Sequence, residues 1–222
     1  MRALKIAAIM IATTAIGGLT IAPAASASFD LNAQASLANT QAGAHSNFTL
    51  NMKFSGSERV SDMNIDLPAG LIGDPNAVSR PLCTKTQMTA GSCPANTQVG
   101  TVTANATAYL ALFSILPLGE LTTDATGAVY LMEPQGNEAA RLAIKITPQM
   151  NILGFDLPIP PMTMDSPIYL RGPGVGNGDY GLRTVVNVKP TTELPVLGAT
   201  QVRVNSMSLT LNGNPPNSAV KP

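Results

Sequence analysis

The clearest pattern in the chain is the run in which Phe48, Leu50, Met52 and Phe54 alternate with Thr49, Asn51, Lys53 and Ser55. Strict alternation gives a strand with one buried and one wet face. A slip of one residue would turn all four apolar side chains into water, so the register is firmly set. Residues 29–37 alternate Leu31, Ala33, Ala35 and Leu37 against Asn32, Gln34 and Ser36, a first strand. Residues 60–67 follow across a turn, and the three strands are expected to form a meander. Later strand-like runs cover 98–109, 127–133, 140–147, 166–171, 180–189 and 200–211. In the last of these the apolar parity changes at Asn205-Ser206, which predicts a bulge there. With no long helical period, the pattern predicts an all-β fold, an antiparallel β-sandwich of about nine to eleven strands.

The connection at 67–102 breaks the alternation and has its own logic. Pro68 ends a strand by removing a ladder donor, and Gly70, Gly73 and Asp74-Pro75 supply turn chemistry. After Cys83, Thr84 and Gln87 have the spacing of a capping box, and Gly91 fits the left-handed position that closes a helix. One short helix is therefore expected between Cys83 and Cys93. A disulfide between them is the predicted role of the pair. Nine intervening residues do not make a Cys-x-x-Cys redox motif, and a single histidine in the chain leaves a metal shell incomplete.

Two apolar stretches interrupted by proline fit the strand pattern less well, 110–121 and 150–164. The plain expectation is core strands bent at the prolines. The sharper one is a pair of exposed loops that meet a partner or a lipid surface, since large bare apolar patches usually mark a contact. On that reading the contact residues are Leu112, Phe113, Ile115, Leu116, Ile152, Leu153, Phe155, Ile159 and Met162. Met150, Met162 and Met164 would suit an adaptable surface, although methionine fills core gaps equally well.

Composition narrows the function. Arg2 and Lys5 precede an apolar run over 6–19 and then Ala25-Ser26-Ala27, which reads as a secretory signal cleaved after Ala27. Removing Arg2 and Lys5 from the 13 basic residues leaves 11 against 13 acidic ones, a net charge of about −2. Without a basic patch, nucleic acid is not an expected partner. Export would place the cysteines where disulfides persist. The domain plan is a signal at 1–27, one β domain over 28–213 and a loose tail over 214–222. No cofactor is expected. His45 is the sole candidate base for nucleophilic catalysis, and it has no Gly-x-Ser-x-Gly elbow. Asp62 with Asp66, and Glu133 with Glu138, are the carboxylate pairs that would serve a glycoside or calcium site. The absence of tryptophan argues against a glycan groove.

Several blocks resemble a family of exported actinobacterial proteins of unassigned function. They are Leu67-Pro-Ala-Gly-Leu-Ile-Gly-Asp-Pro-Asn-Ala-Val78, Ala90-Gly-Ser-Cys-Pro-Ala-Asn-Thr-Gln-Val-Gly-Thr-Val102 and Val129-Tyr-Leu-Met-Glu-Pro134 with Ala140-Arg-Leu142. Gly178-Asp-Tyr-Gly181 and Leu194-Pro-Val-Leu-Gly198 complete them. The chain departs from the family in being short, with one unit, and in having no further cysteine after Asn212-Gly213. The resemblance implies export and a β-rich fold and carries no catalytic residue. The expected function is a non-enzymatic protein, secreted or at the cell envelope, that acts by surface contact with a protein or another envelope component. The alternative is a lipid-contacting carrier using 110–121 and 150–164, and a hydrolase is the third reading. Partner identity and oligomeric state do not follow from the sequence.

Overall fold

In the computed structural model the described residues are 29–41, 43–56, 62–74, 76–112, 116–152, 155–157, 161–173, 179–187 and 199–214. The signal-like segment lies outside them, as does all of the tail except Asn214. Among the described residues the chain forms β1 (Asp30–Leu37), β2 (Phe48–Ser55), β3 (Asp62–Asp66), α1 (Lys85–Thr89), β4 (Gln98–Leu112) and β5 (Leu116–Met132). Then come β6 (Ala140–Pro148), β7 (Met150–Ile152), β8 (Phe155–Leu157), β9 (Met162–Leu170), β10 (Leu182–Asn187) and β11 (Ala199–Leu211). The all-β class holds, with α1 as the one α-helix of the described residues.

Nine strands make one antiparallel sheet in the order β1-β2-β11-β4-β5-β6-β9-β10-β3, and β7 and β8 pair as a separate hairpin. The expected two-sheet sandwich is thus a single curled sheet, closer to half a barrel. Its curl is evident in the core. Phe48, Leu50 and Met52 of β2 pack with Met63 of β3 and Val186 of β10, strands at the opposite end of the sheet order. Both architectures bury the same alternating faces, so alternation cannot distinguish them. The meander fails for the same reason. β1 and β2 pair as expected, but β3 lies at the far edge on β10.

A second cluster, built on Val102, Val129, Leu131, Leu142, Ile144 and Ile146, fills the middle of the curl. Met164, Met207, Leu209 and Leu211 touch both clusters and make the interior continuous. The bulge falls where parity predicts it: the β11–β4 ladder shifts between Val204 and Ser206.

The cysteine-bounded connection turns around the end of β4, beside β5. β4 pairs with β5 only as far as Tyr130, and Cys83 takes the next place, its N–H donating to Leu131 O at 3.1 Å and its C=O accepting from Glu133 N–H at 3.2 Å. Leu82 enters the inner core, whereas Cys83 and Met88 cover the outer face against Met132 and Ala143. Cys83 and Cys93 are bonded, with Cα atoms 5.2 Å apart. The capping box of Thr84 and Gln87 is formed. Gly91, at φ +65°, closes α1 with Gly91 N–H donating to Met88 O and Ser92 N–H to Gln87 O, a complete Schellman pair.

Candidate functional site

The two apolar stretches are hairpins that share one end of the sheet. β4 and β5 pair to the point where Leu112 stands opposite Leu116, with a register shift that leaves Leu118 without a counterpart beside Pro117. β6 stops at Pro148, opposite Ala125, so the first half of β5 runs on past it. β7 and β8 are inserted between β6 and β9 at that same end, Ile152 opposite Phe155. The base of this hairpin is tied to the ribbon: Gln149 N–H donates to Asp124 O at 3.2 Å, and the Thr123 hydroxyl donates to Gln149 O. Topology therefore brings the two segments to one place.

Of the candidate contact residues, Leu112, Leu116, Ile152 and Phe155 are placed by their backbone within these hairpins. Phe113, Ile115, Leu153 and Ile159 lie outside the described residues. Met162 opens β9 opposite Ile146 and is half-buried. Met164 is also half-buried, and it packs against both core clusters. Its position two residues into β9, on the inward face, is what the proline-rich sequence before it concealed.

Of the four carboxylates singled out by the sequence, Asp66 and Glu138 are committed to arginines. Arg183 Nε and Nη2 donate to Asp66 Oδ1 and Oδ2 at 2.6 and 2.8 Å. That hydrogen bond, against the opposing effect of burial and with the charges of Arg183 and Arg171 added, holds the Asp66 carboxyl below the ordinary aspartate range. Asp62 stands opposite Asn187, four residues from Asp66 along β3. Glu133 is exposed, while Glu138 is buried under Arg141, which also reaches Asp165. His45 is exposed in the loop before β2. Among the described residues no group of three or more His, Cys, Asp or Glu gathers as a metal site, and no helix is long and apolar enough to cross a membrane.

The strand pattern over 166–171 conceals the role of Arg171 at its end. The side chain is 3% exposed. Its Nη2 donates to Leu67 O at 2.6 Å and to Asp179 Oδ2 at 3.0 Å, and its Nη1 lies 3.4 Å from Asp66 Oδ2. The guanidinium occupies the space a Cβ on Gly181 would need, 2.0 Å from Nη2. Tyr180 takes the left-handed conformation at φ +58°, and Asp179 Oδ1 accepts from Gly181 N–H at 3.1 Å. Arg171 thus clamps the Leu67 block to the Gly178–Gly181 block. An arginine followed by a glycine-rich turn and Asp-Tyr-Gly was the signal available in the sequence.

The outer cluster of Lys85, Glu138, Arg141 and Asp165 makes acid stability predictable. The hydrogen bond from Arg141 outweighs burial and holds the Glu138 carboxyl down, with Gln135 N–H assisting. Burial pushes Asp165 up, but the hydrogen bond and charge of Lys85 and the charge of Arg141 overcome it, so the net direction is again down. Carboxyls depressed in the folded state contribute stability above their unfolded pKa, which is lost as pH falls through the folded one. The urea midpoint is expected to be flat from pH 7 to about 5 and to fall below about pH 4. Arg141→Met should flatten the acid limb, and an unchanged limb would remove these carboxylates from the account.

Compared with protein-family models, curated proteins and solved structures, the chain matches none.

Proposed function

We propose that the protein is a non-enzymatic component of the cell envelope or the extracellular space that acts by surface contact, and that the contact is made by the sheet end carrying the β4–β5 tip and the β7–β8 hairpin. The observation that carries this reading is the convergence of two apolar, proline-bearing segments, distant in sequence, on that one end. Residues 109–119 contain no charged side chain, and 150–164 contain only Asp156. The disulfide is consistent with an oxidising compartment, as is the signal-like sequence at 1–27. The resemblance to exported actinobacterial proteins agrees with both. The commitment of Asp66 to Arg183 and Arg171 gives a hydrolase reading no added support.

A lipid surface is the second reading, favoured by the near-absence of charge in both hairpins, because desolvating apolar side chains drives interfacial binding. Flotation with mixed zwitterionic and anionic liposomes tests it. The protein should rise with the vesicles, and Phe113→Asp with Phe155→Asp should cut the bound fraction about tenfold or more. If the unaltered protein stays at the bottom of the gradient, the lipid reading is lost. A crosslinking photoprobe at Leu112 that captured no envelope component in intact cells would end the contact proposal itself.

A further inference from the structure

Strand β1 closes one end of the sheet, and among the described residues nothing pairs with its outer edge. Its ladder with β2 is unbroken from Asp30↔Ser55 to Leu37↔Phe48. In an antiparallel pair, alternate residues turn their N–H and C=O toward the partner. Ala38 N–H donates to Asn47 O at 3.0 Å, in the next step of that register. Counting back by twos, Ser36, Gln34, Asn32 and Asp30 face β2. The outward backbone groups therefore belong to Leu31, Ala33, Ala35 and Leu37.

Those four residues also carry the apolar side chains of the strand. They stand opposite Phe54, Met52, Leu50 and Phe48, on the face that forms the core. The core ends at β2. Phe48 is 7% exposed and Met52 3%, whereas Leu37 is 39% exposed and Leu31 44%. An open edge and an uncovered apolar face thus coincide on eight residues. Natural sheets protect such edges with lysine, proline, a bulge or a cover. β1 has no lysine, no proline and no register shift, and its one charge is Asp30 at the start.

We propose that this edge pairs with β1 of a second copy of the chain, antiparallel, about a two-fold axis at Gln34. The backbone fixes the register type. Hydrogen bonds form only if outward residues of one copy meet outward residues of the other, so Leu31, Ala33, Ala35 and Leu37 must face each other. Centring the pair on Gln34 uses all four. Leu31 meets Leu37 and Ala33 meets Ala35, twice over, and the apolar face runs on across the junction. Gln34 faces its own copy in the close, non-hydrogen-bonded position, where the two amides can bond. No like charges oppose each other. The other free edge is a poorer partner: β3 brings Asp62 and Asp66, and pairing β1 to β3 would leave edges open at both ends of a growing chain. The two-fold arrangement closes.

The inference is independent of the hairpin contact and is tested separately. Light scattering on the purified protein should show monomer giving way to dimer, and no larger species, as concentration rises. Ala33→Pro removes an outward N–H and leaves the β1–β2 ladder intact, and it should raise the dimer dissociation constant at least about tenfold. Under mild oxidation Gln34→Cys should form an intermolecular disulfide, since its Cα lies about 4.5 Å from its copy. Asn32→Cys should not, its copy being about 13 Å away. A protein that stays monomeric at about 1 mM overturns the proposal. So does a dimer indifferent to Ala33→Pro and uncrosslinked through Gln34→Cys, or a ladder of ever larger species.

Discussion

Opening the Cys83–Cys93 bond is expected to cost the fold about 3 kcal/mol, the entropy returned to the unfolded chain when an 11-residue loop is released. α1 has only five helical residues, far too few to persist without tertiary support. Its support is the bridge at each flank and the contact of Met88 with Met132, Tyr130 and Ala143. Reduction should therefore be felt twice, as a lower urea midpoint for the whole molecule and as faster amide exchange over 84–92. Cys93→Ala is the better variant, because Cys83 is fully buried and a lone thiol there remains a small apolar group. A midpoint shift worth less than about 0.5 kcal/mol would mean that the hydrogen bond Cys83 N–H donates to Leu131 O and the one its C=O accepts from Glu133 N–H hold the connection without the bridge.

That connection was legible in the sequence because its signals are local. A capping box, a left-handed glycine and a cysteine pair each depend on residues a few positions apart. The bulge at Asn205 was legible too, since the bulged residue shifts the parity of everything after it. Strand neighbours were not. Met63 and Ile65 alternate equally well beside β2 or beside β10, and the choice between one curled sheet and two flat ones rests on contacts across the whole chain. Strand length was hidden by Pro117, Gly119 and Gly127, which punctuate a pattern yet sit inside the 17-residue β5. The register shift at Leu118 absorbs the proline. As for the candidate site, the apolar content of its two hairpins was plain, but their meeting at one end follows from where β6 stops.

Gly127→Ala should be the most damaging of the single-methyl additions, at about 3 kcal/mol or more. A Cβ there would lie 2.0 Å from Lys145 O and 2.9 Å from Ile146 Cα, both backbone atoms of β6, so no rotamer change relieves it. Relief requires β6 to move away from β5, which would open the packing of Ile144 and Ile146 against Val102 and Val129. Two other glycines separate this steric cost from the conformational one. Gly136 has φ +60° with nothing within 4 Å of a built Cβ, so Gly136→Ala should lose only the left-handed preference, about 1 kcal/mol. Gly73 has open space and an ordinary φ, and Gly73→Ala should be neutral or slightly stabilising through the unfolded chain. Urea unfolding of the three variants side by side gives the order. If Gly127→Ala fell with Gly136→Ala, the close approach of β5 and β6 would not be under strain from a methyl group. The two strands could then part at Lys145 by enough to admit a methyl group without opening the core behind them.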